Sequence, residues 1–282
     1  MTFNRIAVIG AGTMGSGIAG QIANAGHKVL LLDLTSEATD YALQRLQKSE
    51  PAPLHQRSNI DLIETGTIDD EFDKLAQCDW IVEAVVERLD IKRDLYKRLD
   101  SIINADCIVT SNTSTIPISL LVAEMPSNFQ ARFAITHYFN PVRYMRLLEL
   151  VRGEKTRPDV IEQLSNFNDE VLGKGVVPCN DTPGFLGNRV GVFALQVGMD
   201  EAFKQGLSIE DADALMGRPM GIPKTGVFGL YDMIGVDLMS DVVDTLGDIL
   251  PEQDVFHAVG RSNNPANSLI NKMIKQGFTG LK

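Results

Sequence analysis

The chain has 282 residues and a mass of 30.9 kDa, room for about two domains of roughly 150 residues each. Its composition, 44% hydrophobic and 22% charged, is that of a well-cored globular protein, and no apolar run approaches the roughly 18 residues of a membrane span. With 26 basic against 37 acidic residues the net charge is −11, which argues against general nucleic-acid binding but not against a phosphate held by backbone amides.

In chain order, residues 5–9 form a short apolar run ending in glycines and read as a buried strand. Residues 14–25 read as a small-residue helix closed by Gly26, and residues 28–33 as a second buried strand ending in Asp33. A helix is expected over 36–48 with Ser36 as its N-cap; Pro51 and Pro53 break it, leaving 49–60 as a loop. Then come a strand over 80–86, a helix over 90–104 with Ile91, Leu95, Leu99 and Ile102 on one face, and a strand over 107–110. Shorter strands follow at 133–137 and 147–151, then a helix over 159–172 and a strand over 176–179. At Asp181-Thr182-Pro183-Gly184 the pattern changes. Asp181 or Thr182 is placed to cap a helix whose first turn holds Pro183, and only helices follow, at 184–205, 208–216, 235–248 and 267–276. Ser208 to Asp211 approximates a capping box, and residues 217–229 are rich in glycine and proline. The alternation implies an α/β architecture: a Rossmann-type doubly wound sheet over residues 1–180, followed by an all-helical second domain over 181–282.

The first loop carries chemistry. Gly10-Ala11-Gly12-Thr13-Met14-Gly15 is a GxGxxG motif between a buried strand and a helix, and the next strand ends in an acid. Gly10 permits the tight turn, Gly12 lets the backbone approach a pyrophosphate, and Gly15 lets the helix pack on the strand. The anion would sit at the helix N-terminus, with Asp33 on the adenosine ribose hydroxyls. Its carboxylate would repel a 2′-phosphate, so NAD is expected over NADP. The alternative is a structural glycine turn with an unrelated acid.

Five further segments join this motif: Glu83-Ala84-Val85-Val86-Glu87, Ser111-Asn112-Thr113-Ser114, His137-Tyr138-Phe139-Asn140-Pro141, Glu149 within an apolar strand, and Asp181 to Arg189 with Asn188. In order and spacing, from residue 5 to about residue 276, the set resembles the L-3-hydroxyacyl-CoA dehydrogenase family. The resemblance implies NAD-dependent, reversible oxidation of an L-3-hydroxyacyl-CoA to the 3-ketoacyl-CoA, as in fatty-acid β-oxidation. It makes His137 the general base, Glu149 its orienting partner, and Ser114 and Asn188 polar groups for the substrate oxygen. To Gly10, Gly12, Thr13, Met14, Gly15 and Asp33 it adds Ala84, Glu87, Lys92 and Asn112 as cofactor-binding residues, and it places the active site in a cleft between the domains.

The chemistry agrees with that assignment. Oxidising a hydroxyl releases a proton, and histidine titrates in the range a base needs. A carboxylate flanked by Leu148 and Leu150 is costly unless partnered, and a histidine is its natural partner. The simpler readings make Ser114 loop or cap chemistry, Glu87 and Lys92 solvated helix charges, and Asn140 a turn residue before Pro141. His27, His55 and His257 read as surface residues.

Residues 224–229 and 49–54 depart from the compact single-function enzymes and look like versions fused to an enoyl-CoA hydratase region, so the chain is expected to be the dehydrogenase piece of a bifunctional protein. Two other functions stay open: a β-hydroxyacid dehydrogenase acting on free acids, whose base is a helical lysine, and a non-catalytic NAD-binding structural protein. Further expectations are an acyl-CoA substrate, a homodimer built through the second domain, no metal, no nucleic acid and no membrane. Three scattered cysteines without a CxxC pair, and a glycine motif that begins at residue 10, point to a reducing, cytoplasmic compartment.

Overall fold

The central strands are largely apolar runs because helices cover both faces of their sheet. The computed structural model describes residues 3–221, 224–261 and 264–281; Ile222 and Pro223 of the glycine- and proline-rich stretch, and Lys282 of the C-terminal tail, lie outside them. The chain forms two compact units, one through Phe185 and one from Leu186.

The first unit holds β1 (Ile6–Ile9), α1 (Thr13–Asn24), β2 (Val29–Asp33), α2 (Ser36–Lys48), β3 (Ile63–Thr67), the short α3 (Ile68–Glu71), β4 (Trp80–Glu83) and α4 (Leu89–Asp100). It continues with β5 (Ile108–Ser111), the short α5 (Ile118–Leu121) and α6 (Ser127–Ala131), β6 (Phe133–Tyr138), β7 (Leu147–Arg152), α7 (Pro158–Asn166) and β8 (Gly175–Cys179). The eight strands form one sheet in the order β3-β2-β1-β4-β5-β6-β7-β8. The pairs are parallel except β6–β7, which is antiparallel. The chain leaves β1 toward the β3 edge and returns to β4 on the other side of β1. That reversal opens the crevice in which doubly wound sheets bind ligands. Alternate strand residues feed two cores: Ile6, Val8, Leu31 and Val82 pack with α1, α2 and α7, while Ala7, Ile9, Leu32 and Ile81 pack with α4 to α6.

The second unit contains α8 (Gly187–Lys204), α9 (Ile209–Leu215), α10 (Phe228–Ile234), α11 (Val236–Ile249) and α12 (Pro265–Lys275) around its own core, which includes Met199, Tyr231, Val243, Leu246 and Phe256. No described helix is long and apolar enough to cross a membrane.

Several local expectations are corrected. Thr35, not Ser36, caps α2: its hydroxyl accepts from the Ala38 amide at 3.3 Å. Asp181 does not start the helix after it, because α8 begins at Gly187. Its carboxylate instead accepts from the amides of Ile118 and Ser119 (2.9 and 3.3 Å), capping α5. The helix expected over 159–172 is α-helical only to Asn166 and continues as a π-turn over Phe167–Val171. The 49–60 loop extends only to the short 3-10 turn Arg57–Leu62 that precedes β3. Ser208 caps α9, its hydroxyl accepting from the Asp211 amide at 3.1 Å and donating to the Asp211 carboxylate at 2.8 Å, so the expected box is met in its first half.

Candidate active site

The glycine motif opens at the end of β1. Gly10 has φ +104°, and a Cβ there would lie 2.5 Å from the Ala84 carbonyl oxygen; a Cβ at Gly15 would lie 1.7 Å from the Gly10 oxygen. Both positions are closed to any side chain. At Gly12 nothing lies within 4 Å of the same position. The motif is thus packed against the end of β4 at its first and third glycines and open at its second, which fits a pyrophosphate approaching the backbone over Gly12 at the N-terminus of α1. Thr13 and Met14 form that first turn.

Asp33 ends β2 beside this loop. Its Oδ2 accepts from the Ala11 amide at 2.5 Å and its Oδ1 from the Leu34 amide at 2.6 Å. The carboxylate therefore shapes the loop as well as facing its crevice. A cavity of about 440 Å³ runs past Gly10, Gly12, Asp33, Leu34, Val86 and Arg98. Its size and its largely apolar walls, which also carry Asp33, Asp94 and Arg98, suit the adenosine half of a dinucleotide. Behind the loop stands Arg45 on α2, which the sequence analysis missed. Its guanidinium donates to the Ala11 carbonyl at 2.9 Å and the Ser16 hydroxyl at 2.8 Å.

Beyond β4, Lys92 is not a solvated helix charge. It is 1% exposed, and its ammonium lies 2.6 Å from Glu83 Oε1 and 3.2 Å from Glu87 Oε2. Glu87 also accepts from the hydroxyls of Thr113 and Thr115. Burial pushes the Glu87 carboxyl up, but the Lys92 charge and the two hydroxyls outweigh it and hold the group below its ordinary value. Glu83, the second missed residue, accepts from Lys92, Tyr96, Ser111 and the Val85 amide at 2.6–2.8 Å. It heads the Glu83–Glu87 segment, but its donors lie up to 28 positions away, so the sequence does not show what it holds.

His137 and Glu149 stand directly opposite each other in the antiparallel β6–β7 pair. The eight residues between these strands make the turn, which is why a spacing of twelve brings the two side chains together. His137 Nδ1 lies 2.6 Å from Glu149 Oε2; Glu149 is fully buried, and His137 packs against the rings of Phe139 and Phe185 at 4.5 and 5.8 Å. The second carboxylate oxygen meets the Cys179 thiol at 3.7 Å. With Nδ1 turned to the carboxylate, Nε2 is the ring nitrogen left for chemistry. Asn112 braces this strand, its side-chain oxygen accepting from the Tyr138 amide at 2.9 Å. Ser114 lies half-buried two residues further on, and Asn140 is exposed in the turn after β6. Asn188 lies in the first turn of α8, in the second unit.

Comparison with known proteins gives the family. The 3-hydroxyacyl-CoA dehydrogenase NAD-binding domain matches residues 5–182, and the C-terminal domain of the same family matches residues 184–282. The chain is 40% identical, over 99% of its length, to a protein of Rickettsia felis named as a fatty acid oxidation complex trifunctional enzyme; it spans 39% of that relative. It is 33% identical to the mitochondrial hydroxyacyl-coenzyme A dehydrogenase of Rattus norvegicus, covering 97% of this chain and 90% of that one. Among solved structures, the (S)-3-hydroxybutyryl-CoA dehydrogenase of Ralstonia eutropha superposes with a TM-score of 0.80 at 28% identity, covering 99% of this chain and 96% of that one. The chain belongs to the 3-hydroxyacyl-CoA dehydrogenase family, and its first unit is that family's NAD-binding domain.

Proposed function

We propose that the protein oxidises the 3-hydroxyl of an L-3-hydroxyacyl-CoA to a ketone, reversibly and with NAD. The observation that carries the reading is the buried His137–Glu149 pair at the end of β6, in the unit whose glycine turn is open at Gly12. Bound NAD supplies the hydride acceptor. The Nε2 atom of His137 takes the hydroxyl proton, while Glu149 orients the ring and stabilises its protonated form. In the reverse direction the same nitrogen returns the proton. Gly10 to Gly15 and Asp33 hold the pyrophosphate and adenosine ribose, with Ala84, Glu87, Lys92 and Asn112 on the remaining cofactor wall. Ser114 and Asn188 carry the roles toward the substrate oxygen that the family resemblance implies.

The names of the relatives support acyl-CoA as the substrate class. The Rickettsia felis relative, of which this chain spans 39%, supports a dehydrogenase portion of a multifunctional protein. Cys78 and Cys107 form no disulfide, and burial pushes both thiols up to about 12, which keeps them protonated and suits a reducing, cytoplasmic setting.

The test is His137→Gln with acetoacetyl-CoA and NADH. The expected result is a fall in kcat of about 10²–10⁴, with NADH affinity retained. Activity within a few-fold of wild type removes His137 as the base. Turnover of free 3-hydroxy acids in preference to acyl-CoA removes the substrate class.

A further inference from the structure

We infer that Glu83 is a positioning residue for the cofactor wall, one that fixes the Lys92 ammonium against Glu87 and holds the turn at Ser111–Thr113. The inference rests on the reading of Lys92 and Glu87 as cofactor-binding residues and deepens it.

Glu83 is fully buried at the end of β4, next to the glycine turn, since Ala84 is the residue against which Gly10 closes. Its two oxygens receive three side-chain donors and one amide: Lys92 Nζ at 2.6 Å, the Tyr96 hydroxyl at 2.6 Å, the Ser111 hydroxyl at 2.7 Å and the Val85 amide at 2.8 Å. A buried charge pair of this kind adds little stability over well-packed apolar side chains, so its distinguishing effect lies in where it puts its partners. Two partners matter here. The first is Lys92, whose ammonium is shared with Glu87 at 3.2 Å. Glu87 is the more exposed of the two carboxylates, at 39% of its side chain. With Glu83 anchoring Lys92 from beneath, the ammonium is fixed in depth and Glu87 presents its carboxylate outward. With Glu83 neutral, Lys92 keeps one anionic partner and both groups shift.

The second partner is the turn after β5. Ser111 donates to Glu83 and accepts from the Thr113 amide at 3.1 Å. The Asn112 amide donates to the Glu83 carbonyl at 2.7 Å, and Asn112 Oδ1 accepts from the amide of Tyr138, the neighbour of His137. One residue thus stands behind the cofactor wall and, through two hydrogen bonds, behind the strand of the dyad.

The experiment is titration of NADH fluorescence, paired with thermal melting in the absence of cofactor, on Glu83→Gln, Glu83→Asp, Lys92→Met, Tyr96→Phe and the double variant Glu83→Gln/Lys92→Met. Because the two residues act as a unit, Glu83→Gln and Lys92→Met are each expected to weaken NADH by about tenfold, and the double variant by about the same amount and not about a hundredfold. Tyr96→Phe removes a hydrogen bond from the same carboxylate without touching Lys92; it is expected to lower the melting temperature and leave NADH affinity within about twofold. Glu83→Asp keeps the charge and withdraws it by one methylene; it is expected to weaken NADH severalfold, and it carries the test if Glu83→Gln does not fold. Weakening by Lys92→Met without weakening by a folded Glu83 variant overturns the positioning role alone. Unchanged affinity in Lys92→Met overturns the cofactor reading of Lys92 and this inference with it. Additive losses, or an equal loss in Tyr96→Phe, make Glu83 a packing residue only.

Discussion

His137 and Glu149 meet because an antiparallel pair sets them in register, so their geometry depends on the sheet and not on a flexible loop. The glycine motif separates into closed and open positions in the same concrete way. Gly15→Ala would press a methyl into the Gly10 carbonyl and is expected to destabilise the first unit, lowering the urea midpoint. Gly12→Ala meets no protein atom; it is expected to keep the midpoint and lose NADH affinity by about tenfold or more, and equal effects of the two on folding would contradict the open crevice. Asp33 is expected to set cofactor choice. An NADP 2′-phosphate would bring up to two negative charges against its carboxylate, with Leu34, Thr35, Ser36 and Glu37 following and no arginine among them. A clash of a few kcal/mol corresponds to about a hundredfold preference for NADH in kcat/KM. Because Asp33 also holds the Ala11 amide, Asp33→Ala is expected to weaken both cofactors, and NADH more, so that the preference shrinks. Comparable efficiencies of NADH and NADPH with the wild-type protein would remove Asp33 from the ribose.

Elements here are held by bonds that cross sequence, and this decides what could be read in advance. Replacing Thr35 by alanine removes the cap of α2 and is expected to cost about 1 kcal/mol in urea denaturation, while Ser36→Ala stays within about 0.5 kcal/mol. Lys174 pins the turn between β6 and β7 by donating to the carbonyls of Val142 and Met145. Burial pushes its ammonium down to about 8 from an ordinary 10.5. Below pH 8 the folded state bears the full cost of a buried charge. Between pH 8 and 10.5 the unfolded chain binds more protons than the folded one, so this group's contribution to stability rises with pH. Wild type is therefore expected to gain on Lys174→Met in urea midpoint between pH 7.5 and 9.5, and a constant gap would contradict the buried ammonium. The central strands, the first two helices, the glycine motif and the dyad were legible because each announces itself within a few residues, or within the twelve of a strand pair. β3 was not: Ile63 to Thr67 is a half-exposed edge strand of two threonines, a glycine and a glutamate, with little apolar signal. α10 was not, because its N-terminus, in a glycine-rich stretch, is capped by Asp213 from α9, fifteen and sixteen residues away. Asp181, read as the start of the next helix, instead caps one more than sixty residues behind it.

At the scale of the whole molecule, the apolar side chains of the second unit do two different jobs. Val243 is buried in that unit's own core, whereas Leu215, Met233 and Leu238 remain exposed at 56%, 53% and 47%. A helical unit of fewer than 100 residues has limited interior, and side chains it leaves in water are available to a second copy of the same surface. The homodimer expected from the sequence would form between chains that each carry a net charge of −11, so long-range electrostatics would oppose it and apolar burial would have to supply the association. Salt screens the first effect and leaves the second intact. The dimer is therefore expected to persist, and to tighten, as salt rises from about 0.05 to 0.5 M. Light scattering at micromolar concentration is expected to give twice the 30.9 kDa chain mass at both salts. The double variant Met233→Glu/Leu238→Glu, which adds a carboxylate at two exposed positions, is expected to give the single chain mass with unchanged NADH affinity, because the cofactor-binding residues belong to the first unit and both substitutions to the second. A wild-type mass near 30.9 kDa, or a dimer that dissociates on adding salt, would mean that these side chains are not what joins two copies.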